Sequence, residues 1–274
     1  MNTSIDQLRP TITSNLFLKL RNNPTITIVA LGDSSVFGVG DIGGDIPATG
    51  AGWAGRVAHD LNSSRFLNLA KNGSRARHLT KDQLPAAIAF EPSLTLICIG
   101  TNDVLRGDFS PSEIEAALTR LIGSLKQVGS AVILLGLPDP MLSAPGPILL
   151  KKILSRRVFI VNDILRGFHD TTSVRYVDTW NSQLAGDASM WHIDRMHPSA
   201  KGHQVIADLV RRNMSLPRRT RTRLAVDSPA TMKQEMFWLV TNGLKWFLKR
   251  SIDLIPALVW LVFSESTFKT KRVL

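Results

Sequence analysis

Ile26-Thr27-Ile28-Val29-Ala30-Leu31-Gly32-Asp33-Ser34 is a short, β-branched, apolar run that ends in a glycine, a carboxylate and a hydroxyl. With Thr25 it reads as a strand over 25–31. Its apolar residues do not alternate with polar ones, which is the pattern of a strand buried on both faces of a parallel sheet. Four further runs share this character, at 65–70, 94–99, 131–137 and 173–177. Helical patterns fall between and after them, at 52–62, 79–90, 112–128, 148–169 and 199–213. Ser110-Pro111-Ser112-Glu113 has the form of a helix start, and His197-Pro198-Ser199-Ala200 is similar. Strands alternating with helices predict a three-layer α/β/α sandwich around a five-stranded parallel sheet. Such sheets bind ligands at the carboxyl ends of their strands, where the strand order switches.

The polar motifs fall at those ends. Gly32-Asp33-Ser34 follows the first strand, Asn72-Gly73 the second and Gly100-Thr101-Asn102-Asp103 the third. Asp194-Arg195-Met196-His197-Pro198 follows the fifth, just before the last helix. A serine hydroxyl is a weak nucleophile at neutral pH. It needs a base within hydrogen-bond reach, and that base needs a carboxylate to hold its tautomer. Ser34, Asp194 and His197 supply the three groups, with Asp and His close enough in sequence to share one turn.

Blander readings stand beside this one. The glycines serve as turn residues, Asn102 and Asp103 as an Asx turn or helix cap, and Asp33 as a tie within its own loop. Ser35 adds a second hydroxyl next to Ser34, and Asp178 and Asp187 are rival acids placed below Asp194. His59, His78, His169 and His203 read as surface or packing residues. His192, Asp194 and His197 could ligate zinc, but no H-E-x-x-H or matching cluster accompanies them, so no metal is expected. Gly38-Val39-Gly40-Asp41-Ile42-Gly43 has the letters of a dinucleotide fingerprint but does not open a helix, so no cofactor is expected either. Residues 36–51 read instead as a loop bordering the substrate pocket.

The four blocks, in this order and each after an apolar run, resemble those of the SGNH, or GDSL-type, hydrolases. The resemblance covers roughly residues 25–213 and implies a flavodoxin-like fold. It implies Ser34 as nucleophile, His197 as general base and acid, and Asp194 as the group that orients His197. It assigns the oxyanion hole to the backbone N–H of Ser34, the backbone N–H of Gly73 and the side-chain amide of Asn102. Ser35 departs from the family's usual apolar residue after the serine. The implied activity is hydrolysis of carboxylic esters: lipid acyl, small acyl or sugar acetate. Acyl transfer on the same acyl-enzyme and a non-catalytic binding module remain as alternatives.

The chain of 274 residues carries a net charge of +11, and 44% of its residues are hydrophobic. Enough apolar material is present for a sizeable core. From Arg211 onward 13 Lys/Arg face 4 Asp/Glu, so the basic excess belongs to the tail. Three segments follow: residues 1–24, a hydrolase domain over 25–213, and a basic linker with an amphipathic helical tail over 214–274. In the tail Met232, Met236, Leu239, Val240, Leu244 and Phe247 recur at helical spacing, with Lys233, Lys245 and Lys249 on another face. Together with Phe237, Trp238 and Trp246, this pattern suits an anionic membrane surface. Packing on the domain or on a second chain competes with that reading. Nucleic acid is not the expected partner, because no reader motif accompanies the basic run. Cys98 is the single cysteine and sits in an apolar run, so it reads as a core residue. Without a secretory signal in the first residues, the expected location is cytoplasmic, peripheral at the inner face of a membrane.

Overall fold

The structure is a computed structural model that describes residues 15–41, 52–139, 141, 148–180, 186–192 and 194–220, with Pro256 and Val259. Five parallel strands form one sheet: β1 (Thr27–Gly32), β2 (Arg65–Asn68), β3 (Leu94–Cys98), β4 (Ala131–Leu135) and β5 (Val174–Val177). Their order is β2-β1-β3-β4-β5. Every residue of β3 and β4 is buried, as their unbroken apolar sequences require. The chain leaves β1 toward β2 on one side and returns to β3 on the other. The strand order therefore switches between β1 and β3, and the crevice there opens at the ends carrying Ser34 and Asn102.

Helices cover both faces. On one face α3 (Gly52–Asp60) packs against α9 (Ala200–Asn213). On the other, α4 (Ala76–His78) and α5 (Leu84–Ala89) meet α7 (Pro111–Gln127), which also contacts α8 (Ile148–Gly167). Helix starts follow their caps: Ser110 accepts from the Glu113 N–H with Pro111 in the first turn, and Ser199 accepts from the Gly202 N–H. Short helices at α1 (Leu16–Asn22), α2 (Ser34–Phe37) and α6 (Thr101–Val104) complete the domain.

The helix expected over 79–90 starts earlier and is interrupted. Between α4 and α5, Leu79–Gln83 widens into a π turn, and the Leu84 N–H reaches back five residues to the Leu79 carbonyl. Pro85 explains the widening, since it has no N–H to donate and its ring crowds the carbonyl four residues earlier.

Residues 214–220, placed in the linker by their composition, lie against the domain. Met214 and Leu216 are each 2% exposed. Arg218 pairs with Asp60 at 2.8 Å, and the Arg219 guanidinium donates to the carbonyls of Leu20 and Pro24. The amphipathic stretch beyond lies outside the described residues. No helix among the described residues is long and apolar enough to cross a membrane.

Candidate active site

Two adjacent serines follow β1, and their hydrogen bonds separate them. Asp33 caps α2 and accepts from both the N–H and the hydroxyl of Ser35, at 3.0 and 2.9 Å. The Ser34 hydroxyl instead lies 2.8 Å from Nε2 of His197. Nδ1 of that imidazole is 2.7 Å from Oδ2 of Asp194. Residues 160 positions apart are thus joined in one series of hydroxyl, imidazole and carboxylate.

Asp194 also shapes the turn that presents His197. Its Oδ1 accepts from the N–H groups of Met196 and His197 at 2.9 and 3.0 Å, while Oδ2 faces the ring. The His192 N–H donates to the His197 carbonyl, and the Arg195 N–H to that of His192. Arg195 sits at φ +55°, a left-handed conformation rarely adopted by a side chain of this size. Burial alone would raise the Asp194 carboxyl. Hydrogen bonds from His192 and His197 and the Met196 N–H outweigh it and hold the group well below the usual carboxylate range. The rival acids are engaged elsewhere: Asp178 accepts from the Trp180 N–H, and Asp187 from Ser189 and Lys201. His192 Nδ1 stands 3.4 Å from Asp194, but no cluster among the described residues is set to hold a metal ion.

Gly73 occupies a turn closed by the Ser74 N–H on the Lys71 carbonyl, at φ +80°, and a Cβ there would meet nothing within 4 Å. Its backbone therefore faces open space, in a conformation that glycine adopts without strain. Asn102 donates through Nδ2 to the Ser74 carbonyl at 3.1 Å and, more loosely, to Asp33 at 3.4 Å. It thereby bridges the Gly73 turn and the residue before Ser34. Asp103 draws the same turn onto α6 by accepting from the Ala76 N–H and from Arg75. Burial pushes the carboxyls of Asp33 and Asp103 upward.

Three supports of the site lie outside the four sequence blocks. Gln83, on the π turn and fully buried, accepts from the Gly32 N–H and donates to the Gly32 carbonyl, both at 2.9 Å, and reaches the Ser74 hydroxyl at 3.3 Å. Asp41 and Arg56 form a buried, two-pronged ion pair at 2.7 and 3.0 Å. Asp41 also accepts from the Gly52 N–H at 3.3 Å. His203 is fully buried: Nδ1 accepts from the Trp53 N–H and Nε2 donates to the Val39 carbonyl. Burial pushes its imidazole down to about 4. Gly40 lies so near the Pro198 carbonyl that a Cβ would come within 2.1 Å. Gly40 thus packs against the His197 turn. The other histidines pack or cap, as with His78 accepting from Arg75 and His169 from Tyr176.

A doubly wound sheet with these blocks at its switch point describes an α/β enzyme of the hydrolytic kind. Residues 30–205 match the GDSL-like lipase/acylhydrolase family, and the chain belongs to that family and is an ester-bond hydrolase. Among solved structures it is similar to the lipase Lip_vut3 from a goat rumen metagenome (19% identity, TM-score 0.57, 69% of this chain and 97% of that one). It is also similar to the acetylxylan esterase Axe2 from Geobacillus stearothermophilus (24%, 0.54, 72% and 97%). A third is LAE5, an alpha/beta hydrolase from the metagenome of Lake Arreo, Spain (23%, 0.55, 69% and 95%). At these identities the likeness is one of fold. A search of curated proteins gives no match.

Proposed function

We propose that this hydrolase cleaves small-molecule carboxylic esters through an acyl-enzyme on Ser34. His197 takes the hydroxyl proton as Ser34 attacks the carbonyl carbon and returns it to the leaving alcohol. Asp194 holds the imidazole and stabilises its cationic form. The backbone N–H groups of Ser34 and Gly73 and the Asn102 amide receive the oxyanion. The looser N–H of Asn102, now directed at Asp33, is the one released to it. Water then repeats the sequence on the acyl-enzyme. The observation that carries this reading is the unbroken series Ser34–His197–Asp194 at 2.8 and 2.7 Å.

A fluorophosphonate probe should label Ser34, and Ser34→Ala should abolish both labelling and hydrolysis of p-nitrophenyl esters. A folded wild-type chain that takes no label would overturn the proposal. The basic, amphipathic composition of 232–249 supports a further part of the reading, that lipid-like esters are met at an anionic membrane surface. Deleting residues 221–274 should then abolish co-sedimentation with anionic liposomes, and unchanged co-sedimentation would sink it.

A further inference from the structure

Beside the Ser34–His197 pair lies a cavity of ≈ 150 Å³ that the chemistry above does not use. Its walls are apolar. The end of β4 contributes Leu135 and Leu137, α8 contributes Leu154 and Val158, and Trp53 and Ile206 close it from the opposite layer. The polar groups that border it are mostly turned to protein partners. The Ser35 hydroxyl is bonded to Asp33 and the Thr179 hydroxyl to the Gly136 carbonyl. Trp53 Nε1 is buried with no partner among the described residues.

The cavity adjoins the reacting groups. Ser35, Thr101, Met196 and Pro198 border it, and each is a chain neighbour of Ser34, Asn102 or His197. Neighbouring Cα atoms are only ~3.8 Å apart, so the cavity lining comes within one residue of the proposed nucleophile and its base. The two halves of an ester differ in what they need here. The alcohol must leave and be replaced by water before the enzyme turns over, whereas the acyl group stays bonded to Ser34. A walled apolar cavity suits the half that stays. An apolar cavity of this volume holds about six carbons, the size of a benzene ring.

We infer that this cavity is an acyl-chain subsite and that it selects medium-length acyl esters of about six carbons. The inference rests on the serine-hydrolase reading and adds the substrate class to it. Each methylene that enters the cavity is removed from water, which raises kcat/KM about fourfold per carbon until the cavity is full. Longer chains meet its end wall and lose that gain.

The test is kcat/KM of the full chain on p-nitrophenyl esters from acetate to dodecanoate, and on acetates of alcohols of the same lengths. The expected result is a rise of about fourfold per methylene up to hexanoate, a fall beyond octanoate, and little dependence on alcohol length. Val158→Phe, which fills the cavity, should move the maximum to butanoate or shorter. Leu154→Ala, which enlarges it, should move the maximum to octanoate or longer, a gain that misfolding does not produce. A flat or falling acyl series, a rise that continues to dodecanoate, a length dependence residing in the alcohol, or maxima unmoved in both variants would each overturn the subsite while leaving Ser34-dependent hydrolysis intact. Absence of both hydrolysis at every length and fluorophosphonate labelling would instead remove the serine-hydrolase reading, and the subsite with it.

Discussion

The side-chain amide of Gln83 closes on both backbone groups of Gly32, the last residue of β1, at 2.9 Å each. Through the Ser74 hydroxyl the same amide reaches the turn that carries Gly73. One buried side chain thus fixes the end of the strand that leads to the proposed nucleophile relative to a proposed oxyanion donor. Gln83→Leu takes the Gln83 partner from the buried Gly32 N–H, a cost of about 1–3 kcal/mol, while the Gly32 carbonyl keeps the Lys71 N–H at 3.2 Å. Melting temperature should fall, and kcat should drop about tenfold or more with KM little changed, since donors must sit where charge develops. Gln83→Glu, which keeps the acceptor but not the donor, should lie between. A melting shift in both variants with kcat unaltered would confine Gln83 to a purely structural role.

Asp194 performs two tasks with two oxygens, and substitution separates them. Asp194→Asn can keep the Oδ1 bonds to Met196 and His197 but presents an N–H donor to the His197 ring. Turnover should fall by ~10³–10⁴ with a small change in stability. Asp194→Ala also loses the turn, including the support of Arg195 in its left-handed conformation, and should melt several degrees lower than the Asn variant. Steady-state kinetics beside thermal unfolding distinguishes the two effects.

His203 is held neutral, with its pKa pushed down to about 4 against an ordinary value of 6.5. Between those values the unfolded chain binds a proton that the folded chain does not, so stability rises with pH across the window. The contribution, of order 3 kcal/mol, is complete above about 6.5 and is lost as pH falls toward 4. Melting temperature measured from pH 4 to 7 should show this acid limb. His203→Asn should be less stable at neutral pH yet have a flatter limb, and an equally steep limb in the variant would assign it to other groups.

Truncation should show where the folded domain ends. A chain ending at Thr220 keeps Met214, Leu216 and the Arg218–Asp60 pair and should melt close to the full chain. Ending at Asn213 removes two buried apolar side chains, each worth about 2 kcal/mol or more, and leaves Asp60 with the more distant Arg211 at 3.9 Å in place of Arg218. A drop of several degrees is expected, and matching melting temperatures would contradict it.

Legibility in the sequence followed the range of the forces involved. The strands could be read because Thr27–Gly32, Leu94–Cys98 and Ala131–Leu135 are continuous apolar runs, and their burial depends only on local composition. Ser110 and Ser199 announced their helices because capping acts over three residues. Three of the four site blocks could be read because each follows closely on a strand, and the fourth because Asp194 to Pro198 leads into the capped Ala200–Asn213 helix. Gln83 and the Asp41–Arg56 pair escape a sequence reading, and His203 reads no further than a surface or packing residue, because a polar residue that finds its partner across the fold looks, in one dimension, like any solvated residue. Pro85 was visible, but the π turn it forces carries no periodicity of its own. The four-residue helix at Ser34–Phe37 is too short to show one.

Asp41 and Gly52 are joined side chain to backbone, and Arg56 locks the first of them to the domain. The chain therefore departs and returns at one anchored point beside the His197 turn. Because Gly40 abuts the Pro198 carbonyl, a displacement of that anchor would be felt first by the turn that presents His197.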